Sequence, residues 1–493
     1  MSGGVVGAAG LGIGVTQLAR SVLSPSAVEP TSARVAAVEG NRARSGRTVR
    51  HTLTAAEQSL DLGGRQVKTW GFGTSSWSDP LRVTAGDELQ VALVNELPES
   101  TTVHWHGLSL RNDMDGVPDL TMAPVGVGGR FDYKFVVPDP GTYWFHPHVG
   151  VQADTALYEP LIVDDPQEQG AYDDEAVLII DDWTDGWSAA PPAILASAQR
   201  DGMADMAGMP GMGDMGDMGM PTAQAPLGTD TGDVTYPAHL INGKVPTAPH
   251  VIVGRTGQLL RLRVINAASD TGYRFAVSGC AMTVTHADGN AVRPIKVDTI
   301  ILGMGERYDV IIQVGDRSSR IVAVPEGKDD PTASAVLRVG RTAPPPVTYR
   351  PTELNSRRLD YTQLLAAPSR QLSPKVPDRQ IEMALSMADG GRRWLINGQS
   401  YDDHDPLTVT EGERVRITMK NDSMMFHPMH LHGHAFALTN TAGTGARKDT
   451  VNVLPMQTVS IDLDADNPGQ WLAHCHNTYH GELGMMTTMS YVQ

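Results

Sequence analysis

The chain has 493 residues, too many for one hydrophobic core, so two to four domains are expected. Charged residues make up 19% and hydrophobic residues 41%, an ordinary balance for a soluble globular protein. The formal net charge of −17 argues against nucleic acid as a partner, because an acidic surface repels phosphate, and it suits a neutral or cationic substrate.

From Gly3 to Ala19 the chain is weakly apolar and rich in Gly and Val, and a polar Ser/Pro/Ala stretch follows Arg20 to about Arg50. This is too short and too glycine-rich for a membrane span. It reads as the apolar part of an export signal without its basic start, with a cytoplasmic tail as the plain alternative. Residues 1–50 are therefore expected to be an export-signal remnant and a disordered segment. The expected destination is the periplasm, the cell envelope or the medium. Twin-arginine signals are weakly apolar in this way, although no Arg-Arg pair is present.

Beyond residue 50, Val and Thr recur in short alternating runs punctuated by many of the 51 glycines and 33 prolines, which predicts an all-β protein. Three runs share one pattern: LRVTAGDELQVALVN (81–95), VIVGRTGQLLRLRVIN (251–266) and LTVTEGERVRITMKN (407–421). Each has a turn glycine (Gly86, Gly257, Gly412), an alternating strand, and an asparagine nine residues later (Asn95, Asn266, Asn421). Three related β-domains follow: 51–165, 166–341 and 374–493, with a proline-rich linker over 342–373. Eighteen and twenty residues after the glycine stand His104 and His106 in the first copy and His430 and His432 in the third. The middle copy has Phe275 and Val277 there, so only the outer domains are expected to carry ligands. The middle domain contains a methionine-dense run, residues 203–220, interspersed with Asp205, Asp214 and Asp217. It reads as a loop that is either low-complexity linker or a collector of Cu(I), for which thioethers are suitably soft.

Eleven of the sixteen histidines fall in four clusters: HWH, HPH, HPMHLHGH and HCHNTYH. Residues i and i+2 of a strand share a face, so each H-x-H presents two imidazoles to one side. Four facing pairs offer eight imidazoles, more than one zinc site uses. In HCH, Cys475 points away from His474 and His476 and belongs to a second site. His480, Met485 and the spare His427 complete a His₂Cys set with a weak axial methionine, the blue-copper arrangement. Of the two cysteines, Cys280 and Cys475, the second is thereby committed, so no intramolecular disulfide is expected.

These motifs, in order and unbroken from about residue 51 to the end, resemble the four signatures of multicopper oxidases, the laccase and cuprous-oxidase family. The resemblance implies three cupredoxin-like Greek-key β-sandwich or barrel domains and four copper ions. It assigns His427, Cys475, His480 and axial Met485 to type-1 copper and His104 and His430 to type-2. His106, His146, His148, His432, His474 and His476 go to the type-3 pair, and His434 is structural. The implied reaction is four one-electron oxidations coupled to reduction of O₂ to two waters, with Cys475 as the electron route and Asp115 assisting proton delivery. Gly481 stands where some relatives have a second acid, which leaves Glu482 without a matching role. Asp422, Met424 and Met425, just before His427, resemble a docking site for substrate copper. The expected reductant is Cu(I), in copper tolerance, with phenols or Fe(II) as others. A copper chaperone or store would need only the methionine-rich run, and a two-domain nitrite reductase would lack the type-3 pair. A monomer suffices, since one chain carries every ligand.

Overall fold

The computed structural model describes residues 26–73, 77–168, 172–203, 220–439 and 443–493. The Gly3–Ala19 segment and residues 204–219 of the methionine-rich run lie outside them. Among the described residues no helix is long and apolar enough to cross a membrane.

The chain builds three two-sheet β-units of the cupredoxin type. In the first, a sheet ordered Gln66–Phe72, Thr48–Asp61, Glu88–Asn95, Arg130–Val136 faces one ordered Leu81–Thr84, Glu159–Asp164, Gly141–His146, His104–His106. The middle and third units each pair a six-stranded with a five-stranded sheet. Leu89, Val91 and Leu93 point into the first core while Gln90 faces outward, the period-2 pattern of a half-buried strand.

The triple repeat has a direct structural meaning. Each turn glycine has positive φ (+90°, +82° and +88° at Gly86, Gly257 and Gly412) and lies where the chain leaves one sheet for the other. Each terminal asparagine is buried, donates Nδ2 to at least two backbone carbonyls and accepts the amide two residues on. The carbonyls are Glu99 and Val125 for Asn95, Thr271 and Leu302 for Asn266, and Met425 and Val453 for Asn421. The amides are those of Leu97, Ala268 and Ser423. A buried amide side chain thus ties each strand to the loop that follows it, satisfying carbonyls that would otherwise lack donors.

The expectation of disorder through residue 50 is corrected. Residues 33–41 form a helix capped by Ser32, Ala27 bridges to Val492, and Val28 and Val35 are buried in the core of the third unit. Two valines and a capping serine were hidden in a stretch whose composition is otherwise polar. The 342–373 linker also packs, burying Leu354, Leu359 and Leu364 against the middle unit.

Candidate metal centre

The first and third units present their histidines on equivalent strand pairs. His104 is directly opposite His146 in one, and His430 directly opposite His474 in the other. Facing one another, the pairs bring His104, His106 and His146 together, then His104, His430 and His432, then His148, His432 and His474. Within each trio the donor atoms lie within 4.8 Å of one another.

Hydrogen bonds select one nitrogen in six of the eight rings, while neither ring nitrogen of His476 has a partner among the described residues. Nδ1–H donates to the backbone carbonyl of Asp115 from His104 (2.9 Å), of Pro147 from His146 (3.0 Å), of Asp449 from His430 (2.9 Å) and of Cys475 from His474 (2.9 Å). His432 Nδ1 donates to Asp115 Oδ2 at 2.9 Å. In each of these rings Nε2 must then be the lone-pair nitrogen. The Nε2 atoms of His104, His146, His148 and His430 have no hydrogen-bond partner among the described residues. Those of His432 and His474 face each other at 3.1 Å, lone pair to lone pair, which two ligands of one cation would do and two free imidazoles would not. His106 is reversed: its Nε2 faces Asp449 Oδ1 at 3.2 Å, and Nδ1 is the nitrogen without a partner.

Behind this set, Cys475 Sγ lies 3.6 Å from His427 Nδ1 and 3.7 Å from His480 Nδ1. Both Nε2 atoms are held from outside, by Ser423 Oγ (2.8 Å) on His427 and by Asp233 Oδ2 (3.1 Å) on His480. Trp394 stacks on His480 at 3.9 Å between ring centroids. Met485 is fully buried in the same core as Cys475 and Trp394. The peptide of Cys475 joins the two sets covalently, and the His474 Nδ1–H to Cys475 carbonyl bond adds a second link.

Burial first, and then neighbouring imidazoles, push His106, His146, His148, His427, His432, His474 and His476 well below the usual histidine range. The rings are therefore neutral, the state that binds a metal. Burial pushes the Cys475 thiol up, so a cation entering must displace its proton. Buried lone pairs without donors, one thiol with two imidazoles, and eight imidazoles around one space are the donor chemistry of copper.

Asp115 is fully buried; Oδ2 holds His432 and Oδ1 lies 3.2 Å from His104 Nδ1. His434 bonds Tyr491 OH (2.7 Å) and the His432 carbonyl, both nitrogens turned to the fold. Glu482 is half-buried on the short Thr478–Glu482 helix, its carboxyl pushed up to about 7 by burial. Asp422, Met424 and Met425 lie in the segment between Asn421 and His427. Asp422 pairs with Lys420 at 2.7 Å, Met425 is buried, and Met424 is exposed. The carboxylates at the outer edge of His480 are instead Asp233 and, nearby, Asp230, whose backbone bridges to Met425. Asp233, Asp230, Asp449 and Arg307 escaped sequence reasoning because each lies in a run with no histidine, cysteine or motif beside it.

Family models described as multicopper oxidase match residues 54–168, 175–342 and 372–493. The chain is 43% identical over 466 residues to the multicopper oxidase MmcO of Mycobacterium tuberculosis, covering 94% of this chain and 90% of that protein. It is 28% identical over 545 residues to a copper resistance protein A homolog of Pseudomonas syringae pv. tomato, covering 88% and 92%. The crystal structure of Fet3p, a multicopper oxidase that functions in iron import, superposes with a TM-score of 0.76 at 20% identity, over 90% of each chain. The class is a three-domain cupredoxin-fold oxidoreductase that uses copper. The chain belongs to the multicopper oxidase family.

Proposed function

We propose that this oxidase takes electrons one at a time from Cu(I) at the His480 edge and delivers them to O₂ between the first and third domains. In this reading His427, Cys475, His480 and Met485 hold type-1 copper, and His104 and His430 hold type-2. His106, His146, His148, His432, His474 and His476 hold the type-3 pair. Copper bound there supplies reversible one-electron chemistry, and four such transfers with four protons balance O₂ to two waters. Asp115 orients His104 and His432, and its Oδ1, which has no hydrogen-bond partner among the described residues, is available to hold a proton beside them. Trp394 shields the Cys475 pocket from water.

The observation that carries the choice of substrate is the Asp233 carboxylate on His480 Nε2, with Asp230 close behind. Two acids at the point of electron entry suit a cation better than a neutral phenol. The start of the methionine-rich run supports it: Met203 is buried in the core that holds Trp394 and Met425, and Asp230, beyond the run's other end, bridges to Met425. Phenol oxidation is a second activity of the same centre. Export and a monomeric state belong to the same reading.

Steady-state turnover of Cu(I), Fe(II) and a phenol should be compared in the parent, in Asp230→Asn, and after deletion of 204–219. Expected are a raised KM for Cu(I) in both variants and little change for the phenol. Equal loss for phenol and metal in Asp230→Asn would overturn the cation-docking assignment.

A further inference from the structure

The middle domain holds none of the proposed ligands, yet it forms one wall of the histidine cluster. A Cβ at Gly305 would lie 2.9 Å from His476 Cδ2 and 3.0 Å from His106 Cε1, so this loop packs directly on two of the rings. Two residues on, Arg307 is fully buried and its guanidinium reaches all three domains. Nε donates to the Thr142 carbonyl of the first domain (3.1 Å) and Nη1 to its own Gly305 carbonyl (3.1 Å). Nη1 and Nη2 grip Asp449 of the third domain, each at 2.7 Å. Asp449 in turn supports a histidine from each outer domain, His106 Nε2 through Oδ1 (3.2 Å) and His430 Nδ1 through its carbonyl (2.9 Å). The backbone of Asp449 is also fixed from the middle domain, because Asp288 Oδ2 accepts its amide (3.3 Å) and that of Thr450 (3.2 Å).

Among the histidines of the eight-imidazole set whose free nitrogen hydrogen bonding defines, His106 alone offers Nδ1, and Asp449 is the reason. A carboxylate that occupies Nε2 as acceptor forces the proton there and leaves the Nδ1 lone pair for a metal. The pair also accounts for the glycine of HWHG. A Cβ at Gly107 would strike Arg307 Nη2 and lie 2.6 Å from Asp449 Oδ2, and its φ of +88° disfavours other residues.

We propose that Arg307 is a positioning residue for the trinuclear copper cluster. Acting from the copper-free domain through Asp449, it fixes the tautomer and orientation of His106. A planar fork is needed, because a lysine cannot hold both carboxylate oxygens and the Thr142 carbonyl together. The proposal rests on the ligand set proposed above.

The test uses the full chain loaded with limiting copper, in the parent, Arg307→Lys, Arg307→Met and Arg261→Lys. Arg261 is a comparably buried arginine of the same domain, bound to Asp309 and Glu168. The readouts are copper bound per blue type-1 centre, the electron paramagnetic resonance signal of type-2 copper, and the near-ultraviolet band of the type-3 pair. Absence of type-2 and type-3 signals in the parent would sink the ligand reading itself, separately from Arg307. With those signals present, both Arg307 variants are expected to keep the blue band while affinity for the remaining coppers falls about 10–100-fold. Arg261→Lys should leave the ratio unchanged. Full copper with unaltered signals in both Arg307 variants, or an equal loss in Arg261→Lys, overturns the role. If the Arg307 variants lose the blue band as well, Asp449→Asn decides. It leaves an oxygen for Arg307 but removes the carboxylate from His106, and an unaltered type-3 band there overturns the proposal.

Discussion

The two histidine sets on either side of Cys475 are wired in opposite senses. Around the eight-imidazole space, four rings give Nδ1–H to backbone carbonyls and turn Nε2 inward. In the Cys475 pocket, His427 and His480 turn Nδ1 to the thiol, and a serine and an aspartate hold Nε2 from outside. The first set is held by backbone carbonyls and by the carboxylates of Asp115 and Asp449; the second is held only by side chains at its outer edge. Such a difference suits one site for small molecules and protons, and another where an external donor meets an imidazole edge.

The largest expected effect tests the separation itself. Cys475→Ser should abolish the blue band and lower oxidase turnover by more than roughly 10³-fold, because a hydroxyl lacks the soft thiolate character. Type-2 and type-3 signals should survive; their loss would mean that the two sets are not independent. Asp115→Asn comes next, lowering kcat by about 10²–10⁴-fold with the blue band intact, as expected of a proton-handling group. A blue band altered in parallel would erase the contrast.

At the outer edge, burial and then Asp233 push the Asp230 carboxyl up to about 6. Above that pH it is ionised and attracts a cation; as pH falls through about 6 it gains a proton and the attraction is lost. KM for Cu(I) should therefore rise about tenfold across that step, roughly 1.4 kcal/mol. The same titration in Asp230→Asn should be flat. Ser423→Ala is the mildest change, removing one neutral hydrogen bond of about 1 kcal/mol from His427. Less than a tenfold change in turnover and a small displacement of the blue band are expected.

Much of this was legible along the chain. The period of a strand places i and i+2 together, so HWH and HPMHLHGH announced shared faces, and the repeat of Gly86, Gly257 and Gly412 announced three related units. The Asp422–Met424–Met425 reading divides by burial, since Asp422 and Met424 are exposed, with Lys420 paired to Asp422, while Met425 is buried. Disorder through residue 50 failed because a few buried valines outweigh a polar composition once a core is available to receive them.

By itself, the sequence determined the donor types, their offsets within each strand pair and hence the family and its copper, because these depend on contacts only a few residues apart. The tertiary structure alone decided which nitrogen is free in the rings that hydrogen bonding fixes, and which acids stand beside them. His106 meets Asp449 across 343 positions, and Arg307 meets Asp449 across 142. Such pairings arise when three domains close on one another and buried polar groups must find partners, and no local pattern encodes them.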